Sequence, residues 1–189
     1  MKNLFLLILT LFLVSHNVSS QNTKFIDSLK LELESRKTDD SIKVSILAML
    51  HEKLMFSKPE EAKKYAEQEL EISKKINYKK GLGAGNMHLG NYYANRIEND
   101  SAIYYFNKAK SYFKEINSQR GIIFINHSLA SIEGIQGNYD NAIALNEENI
   151  KLILETEKGD SKIKFIGAQY SSLSYIYIYI LKKEITKSH

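Results

Sequence analysis

One interval organises this chain. Ala62, Ala102 and Ala142 stand 40 residues apart, and each opens an amphipathic run after a short turn-like segment. Those segments read Ser57-Lys58-Pro59-Glu60-Glu61, Glu98-Asn99-Asp100-Ser101 and Gly137-Asn138-Tyr139-Asp140-Asn141. Thirteen residues before the alanines lie Met49, Leu89 and Leu129, followed by Leu50, Gly90 and Ala130. A period of this length marks a repeated helical unit that cannot hide its apolar face alone and is stabilised by stacked neighbours. Local signals agree. Ser57 and Glu60 fit a capping box, and Pro59 fits a first helical turn. Gly137 can take the left-handed conformation that ends a helix, and Asn138 or Asp140 can cap the next.

Composition supports helices. Apolar residues make up 43% of the chain, and Pro59 is the only proline, which favours long uninterrupted helices over a turn-rich sandwich. There is no cysteine. Disulfides, thiolate metal sites and a cysteine nucleophile are thereby excluded. The formal charge of +4 is mild, and acidic and basic residues alternate along the chain without the basic stripe of a nucleic-acid binder.

Residues 83–109 carry the pattern most fully: Leu89-Gly90 as a central pair, Tyr93 three residues on, and Ala102, Phe106 and Ala109 as a stripe on the second helix. With these residues the chain resembles the tetratricopeptide repeat (TPR) family. The unit at 123–149 agrees at Leu129-Ala130, Gly137, Tyr139 and Ala142, but has Glu133, Asn146 and Asn149 where aromatic or small residues are usual. The unit at 43–69 is marked by Met49, Ala62 and Ala66, and a fourth by Gly167, Leu173-Ser174 and Tyr177. The resemblance implies an all-α fold, a right-handed superhelical α-solenoid of antiparallel helix pairs. The period exceeds the family's usual 34 residues, which predicts longer helices, such as 101–116 and 140–155.

The organisation expected is a signal peptide over 1–20, an N-terminal capping helix within 21–40, and an array over 41–189. Its units run about 43–80, 83–119, 123–160 and 167–189, the last incomplete. Met1-Lys2-Asn3 is a positive start, Leu4 to Val14 a short apolar run, and Val18 and Ser20 are small residues before a cleavage at Gln21. This is the layout of a secretory signal. The apolar run is too short to span a bilayer. The expected location is periplasmic or secreted, with an N-terminal anchor as the alternative.

Sharper chemical motifs fail. Gly81-Leu82-Gly83-Ala84-Gly85 lacks the third glycine of a dinucleotide loop, because Asn86 stands there, and no strand precedes it. His51-Glu52 begins a zinc-protease motif, but Met55 takes the place of the second histidine. His16, His51, His88, His127 and His189 have no ligand spacing, and no nucleophile elbow is present. The carboxylate clamp of some TPR proteins is also missing: Asn91 fits it, but Met87, Ser128, Ala168 and Ser172 replace its other members. Neither an enzyme nor a cofactor or metal site is expected.

By the resemblance, the first helix of each unit lines a concave groove for an extended peptide or a helix. The groove positions are Met87, Asn91, Asn95, Phe124, His127, Ser131, Ser171, Tyr175 and Tyr179, with His51, Leu54, Met55 and Ala94 beside them. The function expected is protein–protein interaction, with a protein or peptide partner and without nucleic acid or a membrane span beyond the signal. The alternative is the input region of a signalling protein, a TPR histidine kinase or transcriptional regulator, whose output domain is missing. The segment from Tyr175 to Leu181 is apolar on every face. It is read as a buried helix whose end leaves an apolar patch for a partner or for self-association. After Leu181-Lys182-Lys183-Glu184 a second helix of that unit is expected to begin.

Overall fold

The computed structural model describes residues 23–187. The expected signal peptide at 1–20 lies outside the described residues. Eight helices follow one another among those described: α1 (23–35), α2 (Ser41–Leu54), α3 (Pro59–Lys75), α4 (Lys79–Asn95), α5 (Asn99–Glu115), α6 (Gln119–Gln136), α7 (Tyr139–Thr156) and α8 (Gly159–Lys187). No strand occurs among the described residues. From α2 on, each helix packs on the next, and α2, α4, α6 and α8 also touch in sequence. The first described helix packs against the next two. Leu29 of α1 is buried with Ile46 and Leu50 of α2, and Tyr65 of α3 packs against them.

Four consecutive turns share one form. The N–H of Tyr78 donates to the Ser73 carbonyl, Glu98 to Tyr93, Ser118 to Phe113 and Asn138 to Glu133, at 2.8–3.0 Å. In each, the preceding residue has positive φ: Asn77 at 53°, Ile97 at 62°, Asn117 at 54° and Gly137 at 83°. This is a Schellman ending, repeated every 20 residues. The turns within a unit and between units are therefore alike. Gly137 behaves as its sequence predicts. The capping box at Ser57 does not form: Lys58 precedes the helix without a side-chain cap bond, and Pro59 takes its first turn. Asn138 likewise stands at the cap position without a side-chain bond. Backbone carbonyls and the proline suffice at these short turns.

The second helices of the units, α3, α5 and α7, bury the same four positions at intervals of 40. These are Ala62, Ala66, Glu69 and Ser73 in α3, then Ala102, Phe106, Ala109 and Phe113 in α5, then Ala142, Asn146, Asn149 and Ile153 in α7. The middle unit fills them with apolar side chains. Phe106 is fully buried and Phe113 nearly so, in a cluster with Ile122, Ile125, Leu129 and Ile132 of α6. Burying one such ring contributes about 1.5–3 kcal/mol. The rings need room, which glycines supply. A Cβ on Gly90 would lie 2.5 Å from Phe106, and one on Gly83 2.8 Å from Phe113. The contacts run in opposite directions along α4 and α5, so the pair is antiparallel. The glycine run at 81–85 thus sits inside a helix as packing surface.

The fourth unit departs from expectation. No turn follows Leu181: α8 continues unbroken to Lys187, because no Gly, Asn or Pro interrupts residues 168–187. The segment from Tyr175 to Leu181 is helical, but it is not buried as a whole. Ile176 is buried, while Tyr175, Tyr177, Ile178, Tyr179 and Leu181 are 50–62% exposed. No described helix covers that flank. Among the described residues, no helix is long and apolar enough to cross a membrane.

Candidate binding groove

Three depressions run in line across the first helices of the units. The first, about 440 Å³, lies between α2 and α4 and is lined by His51, Met55, Phe56, Pro59, Ala62, Tyr92, Asn95 and Arg96. The second, about 450 Å³, lies between α4 and α6 and includes Asn91, Asn95, Ile97, Phe106, His127, Ser131, Ile132 and Ile135. The third, about 330 Å³, lies between α6 and α8 and includes Ala130, Ser131, Gly134, Ile135, Tyr175 and Ile176. Met55 and Asn95 belong to the first two, and Ser131 and Ile135 to the last two. The depressions therefore adjoin one another, sharing walls.

The central one brings together four residues expected to line a groove: Asn91, Asn95, His127 and Ser131. Tyr175 joins them through the third. Helical spacing explains the set. Asn91 and Asn95 are one turn apart on α4, as are His127 and Ser131 on α6, so each pair lies on one flank. Phe106 and Ile132 form an apolar floor, and two amides, an imidazole and a hydroxyl stand above it. Such a lining can bind peptide N–H and C=O groups while an apolar side chain enters the floor.

Other expected residues lie elsewhere. Met87 is half-buried against the central core. Phe124, 51% exposed, meets Phe165 of α8 edge to face at 5.7 Å. Ser171 is exposed and donates to the Gly167 carbonyl. Tyr179 leans on Tyr175 and on Tyr139 of α7. His51 and Leu54 are buried, at 1% and 2% exposure, because α4 packs over their side of α2. Phe56, Ile97 and Ile135 were not singled out from sequence, yet they are 74–83% exposed around the depressions. An apolar residue at a polar helix end was the available signal.

Beneath the first depression lies a buried polar cluster. His88 of α4 contacts Glu69 of α3 through Nδ1 and Oε2, 2.7 Å apart, and its ring stacks on His51 at 4.4 Å. His51 Nδ1 is 3.0 Å from the Ala62 carbonyl. Burial, and then the neighbouring His88, push the His51 pKa from 6.5 down to about 4. Burial raises the Glu69 carboxyl, and His88 opposes that rise. His51 is thus held neutral, with Nδ1 donating to Ala62. Among the described residues no group of three His, Asp or Glu side chains is placed to hold a metal ion.

No family model matches the chain, and no curated protein matches it. The geometry of this surface therefore carries the functional reading.

Proposed function

We propose that this chain is an exported TPR-like module, a right-handed solenoid that binds a protein partner through an extended peptide or a helix and performs no catalysis itself. The observation that supports the reading is that the three depressions adjoin along successive first helices. They follow α2, α4, α6 and α8 in order, and in the central one polar groups stand over an apolar floor. A path shaped in this way favours a ligand that runs across several units. Asn91 and Asn95 would hold the ligand's main chain, His127 and Ser131 would face them from the next unit, and Tyr175 would pack against its far end. Ile97 and Ile135 would shield these bonds from water.

A panel of random peptides displayed on phage, panned against the full chain, tests this. Enriched peptides are synthesised and titrated by calorimetry against the wild type and the Asn95→Ala and His127→Ala variants. The expected result is binding that weakens roughly tenfold with each substitution, the scale of a contact at an interface centre. Absence of any enriched peptide, or equal affinity for all three proteins, would overturn the proposal.

A further inference from the structure

A second surface lies on the far flank of α8. Gln169, Leu173 and Ile176 face inward, whereas Ile163, Tyr170, Tyr177, Ile178 and Leu181 are 50–72% exposed. Contacts within the array fix how α8 aligns with the earlier first helices. Ile176 clusters with Ala142 as Ile132 clusters with Ala102. Gln169 meets Asn149, and Ile125 clusters with Ala109. Both pairs set α8 44 residues beyond α6. In that alignment Gly83 and Gly90 of α4 correspond to Ile123 and Ala130 of α6, and to Gly167 and Ser174 of α8.

In α4 these two small residues receive Phe113 and Phe106 of the covering helix. On α8 the same two positions face outward. At Gly167 nothing lies within 4 Å of the place a Cβ would take, and Ser174 is exposed. Small residues there, flanked by Tyr170, Tyr177 and Leu181, reproduce the surface that α4 offers to α5. An isolated helix gains little from carrying so much exposed apolar area.

We propose that this flank of α8 docks an antiparallel amphipathic helix of a partner protein. That helix carries two bulky apolar side chains seven residues apart with small residues between, the pattern of Ala102, Phe106, Ala109 and Phe113 on α5. One bulky side chain sits over Gly167 and the other over Ser174. The docking extends the stack by one layer, in continuity with the α4–α5 and α6–α7 contacts. It is independent of the groove, which uses the opposite side of α8 through Ile176 and Tyr175.

The probe is a labelled synthetic peptide with the sequence of residues 99–115, titrated by fluorescence anisotropy against the full chain. The expected result is saturable binding that weakens at least roughly tenfold on Ser174→Leu and again on Tyr170→Lys. A peptide with Ala at both phenylalanine positions should not bind. Both substituted residues are exposed, so melting curves should match the wild type. Groove variants such as His127→Ala should leave the affinity unchanged, which separates failure here from failure of the groove reading. Lack of binding, or binding indifferent to Ser174→Leu and Tyr170→Lys, overturns the proposal; indifference would mean the peptide replaces α5 within the array. A dimer in sedimentation that Leu181→Asp dissociates would also overturn it, by assigning the flank to a second copy of the chain.

Discussion

Glu69 and His88 meet 2.7 Å apart where the first unit joins the second, with the carboxylate fully buried and the imidazole 3% exposed. Glu69 is the third of the four buried positions of α3, where α5 has Ala109. The junction therefore relies on a polar pair in place of packed carbon. Removing one partner of such a pair leaves the other unpaired in a dry site, which costs about 1–3 kcal/mol. Glu69→Leu should lower the unfolding free energy in urea by that order. Glu69→Leu combined with His88→Phe should recover most of the loss. Equal losses in the single and the double variant would show that the pair contributes nothing.

Acid should weaken the same junction through His51. The unfolded chain takes up a proton near pH 6.5 and the folded chain near 4, so the unfolded state holds more protons in between. Stability is full above pH 6.5 and falls as the pH drops toward 4, by on the order of 3 kcal/mol. Burial raises the Glu69 carboxyl, and its protonation favours the folded state, which offsets part of this loss. The melting temperature of the wild type should fall between pH 7.5 and 5.0 by more than that of His51→Asn. Parallel curves would exclude His51 as the source.

Gly90 tests the close approach of α4 and α5. Alanine there should gain about 1 kcal/mol of helix propensity. Its methyl would collide with Phe106, 2.5 Å from the ring, and overpacking costs about 1–3 kcal/mol. A net loss of stability in Gly90→Ala is expected, reversed in part by Phe106→Leu in the same chain. A more stable Gly90→Ala would show that the helices can separate freely.

Much of this packing was legible in the sequence, and the reasons differ by residue. The alanines at 62, 102 and 142 disclosed the period because a small side chain is required wherever two helices cross closely. Asn146 and Asn149 stood out as misfits and are buried, Asn149 bonding to the Ile123 carbonyl and to Gln169. His51 was read as a groove position and is buried instead, since its burial depends on His88, 37 positions away in the chain, and on how α4 settles over α2. The left-handed turn at Ile97 was equally hidden. Local rules reserve that conformation for Gly and Asn, as at Gly137, Asn77 and Asn117, and only the even length of the helices forces it on an isoleucine.

Ile97, at φ 62° and 78% exposed, carries strain without burial to offset it. The left-handed region costs an ordinary residue roughly 1–2 kcal/mol. Ile97→Gly should therefore raise stability by about 1 kcal/mol, measured in urea. Because its side chain borders the central depression, the same substitution should weaken the peptides selected against the groove. A stabilised variant with undiminished peptide affinity would remove Ile97 from the binding surface.

At the other end of the array, Arg120 of α6 holds Glu157 with two hydrogen bonds, 2.6 and 2.8 Å, and Ser161 of α8 adds a third at 2.8 Å. Arg120, followed by Ser161, lowers the Glu157 pKa from 4.5 to about 2. The folded state gains from this above pH 4.5 and loses it as the pH falls toward 2. Arg120→Met should lower the melting temperature at pH 7, with the gap to the wild type closing at pH 2. A constant gap would assign the effect to the Arg120 guanidinium over the Phe165 ring, 6.0 Å from its centre.

The unlike filling of four repeated positions has a consequence for how the molecule comes apart. The inner pair, sealed by two phenylalanines, should hold its amide protons longest in deuterium exchange. The outer pairs include Ser73 Oγ, both amide atoms of Asn126, and the Oδ1 atoms of Asn146 and Asn149, which have no hydrogen-bond partner among the described residues. Those pairs should open first, and opening at either side would not require the centre to melt. A scaffold that loosens from its margins inward can admit a guest at one edge while its midsection keeps the alignment.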